Sequence, residues 1–570
     1  VPVTPPSVSR TTPVKVTVVV PTHNTGETIL TGLHSFLAQT MPRTDFEVIY
    51  VDDGSTDDTV ALLESELARQ GAEPAIRVIR TANSGWPGRP RNIGMDAARG
   101  EFVHFVDDDD WLAPEALERT CARAEETGAD IVIGRMAGHG RRAPRALFEK
   151  PIASADLRSD TALLASMTVH KLFRRSFLQE NRLRFEEGQV RLEDHMFTLR
   201  AYLLTSRVAT VHDYTCYHWV RHRSEDHNIS YESIEPGPYL DSVRKVLAIL
   251  DAPDTYVPHG RHRRRLTANW YGKKALARIS GELLLGQSAR RRAEWFEAVS
   301  ALACDLPPET DTSLPTRLRI VGALARRGER ELLEEHAEFE AGVDHRPVVR
   351  STGWKDGRLT VRCGTRLVRT EEKGARALPL PFSRARNRYR LQLAPGVAAV
   401  PEAAEAADFT GAVRRSNVRG LLRHREGGTT LSVPLTHRVV EVPLRQEGTA
   451  ADFVAKAARR MRLPDRLTDR LTDRLTDRLT SRLPGGGNRE PDLCALGFET
   501  EFTVDPSSAD NGRPLAPGTW DLQLQLGCGG WRMARRLRGC SIEVPAEAEA
   551  QPQTSRRRPV APVLRPAVSR

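Results

Sequence analysis

The sequence predicts an α/β domain built on a parallel sheet, followed by a helical connector and then by all-β, sandwich-like modules. Three observations predict it. Between residues 14 and 135, short apolar runs alternate with helix-period stretches, the pattern of a parallel sheet covered by helices. From 235 to 340, apolar residues recur at helical spacing. From 345 onward, Gly, Pro and short alternating runs take over.

The elements follow in order. Residues 1–13, rich in Pro, Thr and Ser, read as a loose leader. Val16–Val20 is a strand, followed by the loop Pro21-Thr22-His23-Asn24 and a helix around Glu27–Gln39. Phe46–Val51 is a second strand, ending in the acidic stretch from Asp52 to Asp58. There Ser55 and Asp58 have the spacing of a capping box, and Gly71 stands where that helix should stop. Ile76–Ile79 is a third strand, with a short helix through Arg91–Arg99. The strand Glu101–Val106, a helix to Thr127 and the strand Asp130–Gly134 complete the alternation.

Residues 136–230 are mixed, with a helix at about 192–205 and strands near 207–220. Helices are expected over Tyr239–Leu250, Arg265–Leu285, Arg290–Leu302, Leu318–Arg326 and Glu329–Glu340. Arg358–Cys363 and Asp521–Leu526 alternate cleanly and predict two β-sandwich modules. The domain plan is a leader over 1–13, an α/β domain over 14–230 and a connector over 231–343. One β-module follows over 344–446 and a second over 488–547. The linker between them, 447–487, repeats Asp-Arg-Leu-Thr from Asp465. On a helix its Leu stripe drifts about 40° per repeat and cannot form a straight seam. The Pro- and Arg-rich tail, 548–570, reads as disordered.

At 570 residues the chain exceeds a single core. Its net charge of +10, carried mostly by Arg, suits anionic lipid or an acidic polymer. Aromatic-basic interleaving is absent from the sequence, which argues against nucleic acid. The seven cysteines are scattered with no CxxC pair, so neither structural zinc nor a disulfide framework is indicated, and a reducing cytoplasm suits them. Without an apolar run near the length of a membrane span, the chain reads as soluble or at most peripheral to a membrane.

The chemistry centres on Phe102-Val103-His104-Phe105-Val106, an apolar run that stops abruptly in Asp107-Asp108-Asp109-Asp110. Carboxylates at the carboxyl end of a central strand sit where open α/β sheets bind ligands, and Asp-x-Asp suits a hard divalent ion. Taken alone, the run fits such a metal site or an acidic turn before the next helix equally well. Three further segments, Pro21–Asn24, Asp52–Asp58 and Asn83–Asn92, can meet it at one edge of the sheet. Together they offer groups for a base and ribose, cations for phosphates, and a metal site.

Four stretches in this order, Val-Val-Val-Pro-Thr-His-Asn, Val-Asp-Asp-Gly-Ser-Thr-Asp, Pro-Arg-Asn-Ile-Gly-Met-Asp-Ala-Ala-Arg-Gly and Phe-Val-Asp-Asp-Asp-Asp-Trp, resemble the family 2 inverting glycosyltransferases of the GT-A fold. The resemblance covers roughly the first 220 residues. It implies that Pro21, His23 and Asn24 line a nucleoside pocket with Asp53, and that Asn83 and Arg91 hold the nucleotide and its diphosphate. Asp107 would bind ribose or the metal, and Asp109 would coordinate Mn²⁺ or Mg²⁺. His23 departs from the family, which usually places Tyr on the base.

Inversion also requires a carboxylate to deprotonate the acceptor. Asp194, on a predicted helix start, stands at the place of the family's Glu-Asp motif, with Glu193 orienting a sugar. Acidic residues also favour a helix N-terminus by charge alone, but the accompanying motifs weigh toward the base. The aromatic, basic stretch Tyr217–Arg223 is placed to close over the diphosphate, with His218 beside the metal or Arg221 on the leaving group. Trp86 and Trp111 are candidate sugar platforms, although core packing is the commoner role.

The modular plan resembles the wall teichoic acid glycosyltransferases that decorate poly(ribitol phosphate). That resemblance implies transfer of N-acetylglucosamine from a UDP-sugar to an anionic polyol-phosphate polymer, association of copies through the β-modules, and action at the inner face of the membrane. Other glycan acceptors, such as capsule or exopolysaccharide, fit the same catalytic domain. A nucleotidyltransferase would need a basic, Gly-rich loop after the first strand, and Pro21–Gly26 carries no Lys or Arg. A purely polymer-binding protein would have no use for the base Asp194.

Overall fold

The computed structural model describes residues 14–71, 75–141, 143–221, 234–370, 377–426, 429–433, 435–444, 492–510 and 512–545. The leader, the Asp-Arg-Leu-Thr repeat, the basic tail and His222–Arg223 lie outside these residues.

β1 (Val16–Thr22) is buried along its whole length, as an apolar strand covered on both faces must be. It pairs in parallel with β2 (Phe46–Asp52) on one side and β4 (Phe102–Phe105) on the other. β3 (Ile76–Arg80) adds in parallel outside β2. The order β3-β2-β1-β4 changes direction beside β1, and the crevice beyond the carboxyl ends at such a switch point is where ligands sit. Beyond β4 come β5 (Trp111–Leu112), β6 (Ile131–His139), β7 (Leu172–Arg174) and β8 (Val208–Val220). β7 runs antiparallel between β4 and β6, β8 is parallel to β6, and β5 closes the eight-stranded sheet.

α1 (Ile29–Leu37), α2 (Thr59–Gln70), α3 (Gly88–Ala97) and α4 (Ala116–Thr127) cover the sheet with their apolar sides, and α5 (Arg175–Glu180) and α6 (Glu193–Leu203) follow. α2 ends on Gly71 in the left-handed region, as expected, but its start differs. Asp58 is the N-cap, and the Ser55 hydroxyl accepts from the Asn24 backbone at 3.0 Å instead of capping the helix. Tertiary contact with the β1 loop has taken the capping group. Trp111–Leu112, which could have opened a helix, is instead an edge strand on β8.

α7 (Pro236–Ala248) and α8 (Arg261–Trp270) come next. The single helix expected over 265–285 is broken: α8 runs into a π-helical turn, Tyr271–Ala275, and a 3-10 turn before α9 (Gly281–Leu285). α10 (Ala289–Asp305), α11 (Thr316–Arg327) and α12 (Arg330–Ala341) lie close to the expected positions. The chain divides into two compact units near Ala275, the first holding the eight-stranded sheet with α7 and α8.

The second unit carries antiparallel strands. β9 (Val343–Lys355) and β10 (Arg358–Arg369) form a hairpin across Asp356-Gly357, both at positive φ, as a tight primed turn requires. β11 (Leu378–Pro379), β12 (Phe382–Ala385) and β13 (Arg388–Leu391) follow, then the short helices α13 (Pro395–Ala398), α14 (Pro401–Ala406) and α15 (Thr410–Arg414). β14 (Asn417–His424), β15 (Thr430–Val433), β16 (Thr436–Pro443), β17 (Asp492–Val504), β18 (Gly518–Cys528) and β19 (Trp531–Val544) complete it. The two expected modules are not separate. β17 pairs with β10, β12 and β16, while β14 pairs with β18. Both sheets therefore draw on both segments, which strand periodicity cannot reveal.

α3 approaches β1 closely because Gly94 has no side chain: a Cβ there would stand 2.3 Å from Val19 Cγ1. Gly94→Ala is expected to cost about 1–3 kcal/mol by overpacking, despite the better helix former. Thermal melting checks it, and adding Val19→Ala should recover part of the loss.

Candidate functional site

Asp107–Asp110 leave the end of β4 and meet four different environments. Asp107 Oδ1 accepts from Arg91 Nη2 at 3.0 Å, and Oδ2 lies 2.8 Å from His170 Nε2. Burial would raise its carboxyl, but His170 and Arg91 outweigh burial and hold it well below the usual range. Asp108 accepts from the Thr25 hydroxyl and, at 3.3 Å, from the His23 backbone N–H. Burial, with the charge of Asp109, pushes it up to about 7. Asp109 is half-buried. Asp110 is buried, accepting from the Tyr217 hydroxyl at 2.6 Å and the Val220 backbone at 2.7 Å, and burial plus the neighbouring carboxylates push it up to about 9.

Asp107, Asp110 and His170 offer ligand atoms that all lie within 4.8 Å of one another. Two carboxylates and an imidazole at this spacing fit Mn²⁺ or Mg²⁺, and a cation there would relieve the burial and like charges that raise Asp110. His170 is held by a stack on Tyr217, ring centroids 4.5 Å apart at 12°, and among the described residues its buried Nδ1 has no hydrogen-bond partner. The imidazole expected here, His218, is elsewhere. It stacks on Trp111 at 4.9 Å and shares a 2.9 Å hydrogen bond with His139, and burial lowers it to about 4.

Arg91 is buried on α3 and spans two elements: besides Asp107, its Nη1 donates to Glu193 Oε1 at 3.0 Å. Glu193 Oε2 accepts from Trp86 Nε1 at 3.2 Å, so Trp86 is a buried positioning group and not an open sugar platform. α6 begins at Leu192 with φ 66°, a left-handed conformation that is costly for a branched residue and typical of constrained sites. The next residues, Glu193 and Asp194, open the helix. Burial raises both carboxyls, while Lys274 and Arg91 pull Asp194 back. Lys274 comes from the π-helical turn, a feature frequent at functional sites. With Lys273, Asn269, His195, Trp219 and Thr168 it lines a cavity of about 350 Å³. His195 is fixed by Trp270, whose Nε1 donates to its Nδ1 at 3.1 Å.

The remaining expected residues gather at the ends of β1 and β2. Asp53 is buried, and Ser84 N–H reaches both its oxygens at 3.0 Å. His23 Nδ1 lies 3.0 Å from Asp53 O, which can only accept, so Nδ1 carries the proton. Nε2 is then the acceptor for Asn83 and Asn24 amides, each at 3.3 Å. The imidazole is tied at its edges yet exposed. Pro21 is buried in β1, and Gly54, at φ 70°, allows Asn83 to approach: a Cβ would stand 2.7 Å from its backbone nitrogen. Arg221 is exposed at the end of β8, its backbone donating to His139 O at 2.9 Å.

Sequence reasoning missed His170 and the two lysines, and it named the stretch from Tyr217 without the contact that Tyr217 makes with Asp110. No motif surrounds Val169-His170-Lys171, and only the insertion of β7 beside β4 brings His170 to Asp107.

Residues 17–180 match the family model for glycosyl transferase family 2, and residues 236–337 that for the glycosyl transferase TarS linker domain. The chain is 28% identical, over 58% of its length, to a poly(ribitol-phosphate) beta-glucosyltransferase of Bacillus spizizenii, covering 51% of that protein. It is 28% identical, over 54% of its length, to the poly(ribitol-phosphate) beta-N-acetylglucosaminyltransferase TarS of Staphylococcus aureus, covering 52% of it. The chain thus spans about half the length of the curated relatives it matches. The crystal structure of S. aureus TarS 1–349 in complex with UDP-GlcNAc aligns over 64% of this chain and 99% of that one, at 25% identity and a TM-score of 0.50. The eight-stranded sheet with its helices is a GT-A domain.

A carboxyl raised to about 9 is protonated at neutral pH, and a cation must displace that proton. Mn²⁺ binding is therefore expected to release protons at neutral pH and to tighten as pH rises toward about 9. Calorimetry in buffers of different ionisation heat measures both. Binding without proton release, indifferent to pH, would place the ion away from Asp110.

Proposed function

Given a family 2 glycosyltransferase domain joined to a TarS-type linker, we propose that the chain transfers a sugar from a UDP-sugar to a polyol-phosphate polymer, with inversion. One observation carries this reading. Asp107, Arg91 and Glu193 connect the carboxylates beyond β4 to Asp194, which opens α6 beside a cavity bearing Lys273 and Lys274. On this reading donor, base and an anionic acceptor take adjoining places.

On this reading Pro21, His23, Asn24, Asp53 and Asn83 hold the nucleoside, with the flat exposed face of His23 against the base. Asp107, Asp110 and His170, with Asp109 beside them, would hold a divalent cation, which would neutralise the diphosphate. Arg91 fixes the carboxylate of Asp107. Asp194 takes the proton from the acceptor hydroxyl as its oxygen attacks the anomeric carbon opposite the departing diphosphate, which yields a β-linkage. Its raised pKa strengthens it as a base, provided that it is ionised. Glu193 orients the sugar, Lys273 and Lys274 meet the phosphates of the acceptor, and Arg221 flanks the leaving group.

On this reading the sugar is N-acetylglucosamine, with glucose as the alternative, a choice that the relatives' names, one glucosyl and one N-acetylglucosaminyl transferase, support. No described helix is long and apolar enough to cross a membrane. Action at the inner face of the membrane, and association of copies through the β-strand unit, belong to the same reading.

Purified protein with Mn²⁺ and a panel of UDP-, GDP-, CDP- and dTDP-sugars, with poly(ribitol phosphate) as acceptor, tests it through release of nucleoside diphosphate. UDP-sugar turnover is expected, with Asp194→Asn lower by about 10²–10⁴-fold and Asp109→Ala inactive. Failure of every donor to bind or turn over would reject the reading. Lys274 lowers the Asp194 pKa, so Lys274→Met should raise it and move the acid limb of kcat/KM to higher pH. An unmoved limb would remove Asp194 as the titrating base.

A further inference from the structure

Tyr217 touches three of the groups that stand at the end of β4, and it comes from a different strand. It is 1% exposed, and its partners across the ladder are Leu112 on β5 and Met136 on β6. It reaches the site through an irregularity of β8. Arg135 pairs with Thr215, yet the next residue, Met136, pairs with Tyr217, so Cys216 is an extra residue in the strand. Gly134 leaves room for it, since a Cβ there would stand 2.7 Å from Cys216 Cβ. With a side-chain period of two, one inserted residue sends those after it to the other face, and such shifts re-aim side chains beside active sites.

Both parts of the side chain are engaged. The hydroxyl accepts from the Asp107 backbone N–H at 3.2 Å, and that group can only donate. The phenolic proton is therefore committed to Asp110 Oδ2, 2.6 Å away. With the Val220 N–H on Oδ1 at 2.7 Å, the Asp110 carboxylate is fixed in direction, and each of its oxygens keeps a lone pair. The ring lies on the His170 imidazole, centroids 4.5 Å apart at 12°, and Trp219 meets the same imidazole edge-on at 5.9 Å. A ligating histidine ordinarily donates from its second nitrogen to a carboxylate or carbonyl, which sets the ring. Among the described residues the buried His170 Nδ1 has no such acceptor. Stacking, with the 2.8 Å contact to Asp107, orients this imidazole instead.

We propose that Tyr217 is the positioning residue of the divalent-cation site, its hydroxyl setting Asp110 and its ring setting His170, so that both present ligand atoms together with Asp107. This rests on the cation reading above. The two tasks are separable because they use different parts of one side chain. Tyr217→Phe keeps the stack and loses the hydroxyl, while Tyr217→Leu loses both. Loosened ligands bind an ion less tightly, because their freedom has to be frozen at the moment of binding.

The experiment titrates Mn²⁺ into the full chain and its variants, reading bound ion from the loss of the free-ion EPR signal, with thermal melting alongside. Tyr217→Phe is expected to bind Mn²⁺ about tenfold or more weaker, the usual effect of losing a group behind a metal ligand. Tyr217→Leu should be weaker again, and the gap between the two variants should close when His170→Ala is added. In an Asp110→Asn chain, Tyr217→Phe should lose most of its effect. Should Tyr217→Leu fail to fold, Tyr217→Phe with and without Asp110→Asn still decides the matter. Unchanged Mn²⁺ affinity in Tyr217→Phe, even with a lower melting temperature, would make Tyr217 a packing residue and overturn the proposal. So would an equal loss with and without Asp110→Asn. A parent chain that binds no Mn²⁺ would reject the cation reading itself.

Discussion

The site depends on one buried cation shared by two carboxylates. Arg91 cannot give up its proton in a protein, so its burial is tolerable only with anions on both sides. Asp107 and Glu193 supply them, and they come from different parts of the domain, the end of β4 and the start of α6. The bridge therefore fixes the separation between the switch point of the sheet and Asp194. Removing either carboxylate would cost more than a contact, because it would leave a buried charge half-paired, a defect of about 3–5 kcal/mol.

The same bridge divides the work among four consecutive carboxylates. Asp107, between Arg91 and His170, stays ionised, and its charge then opposes ionisation of the neighbours. Asp108 is capped by Thr25 and the His23 backbone, Asp110 by Tyr217 and Val220, yet both are pushed up, to about 7 and about 9. Local hydrogen bonds thus do not offset burial and mutual repulsion. An added cation relieves that repulsion. This explains how an apolar strand can end in four acids without the segment unfolding into water.

The first four parallel strands were legible because each is a short apolar run closed by a polar loop, and local pattern suffices for that. The loops carrying His23, Asp53, Asn83 and Asp107 could be placed at one sheet edge by the same logic, since parallel strands put their carboxyl ends together. What failed needed non-local information. His170 and His218 are both unremarkable in sequence, and strand order alone decides that the first reaches Asp107 while the second stacks on Trp111. Ser55 had the spacing of a cap, but a loop 31 residues away took its hydroxyl. The β-strand segments alternate as expected, yet pairing across them, β17 with β10 and β14 with β18, leaves no trace in a period of two.

The break at 271–275 shows where composition misleads about function. Periodicity makes residues 235–340 one helical connector, distinct from the chemistry upstream. The structure packs α7, α8 and the π-helical turn with the eight-stranded sheet instead. A π turn adds a residue to the helical repeat, so Lys273 and Lys274 emerge at an angle that a continuous α-helix would not give. That places both on the cavity, while Trp270, just before the turn, donates to His195 beside Asp194. Two physical needs meet there. Asp194 is half-buried and, on the proposed reading, must ionise, so it needs a cation nearby; an anionic acceptor would need the same cations. One basic turn, supplied by what reads as connector, offers cations for both, and the first compact unit runs to the end of that turn.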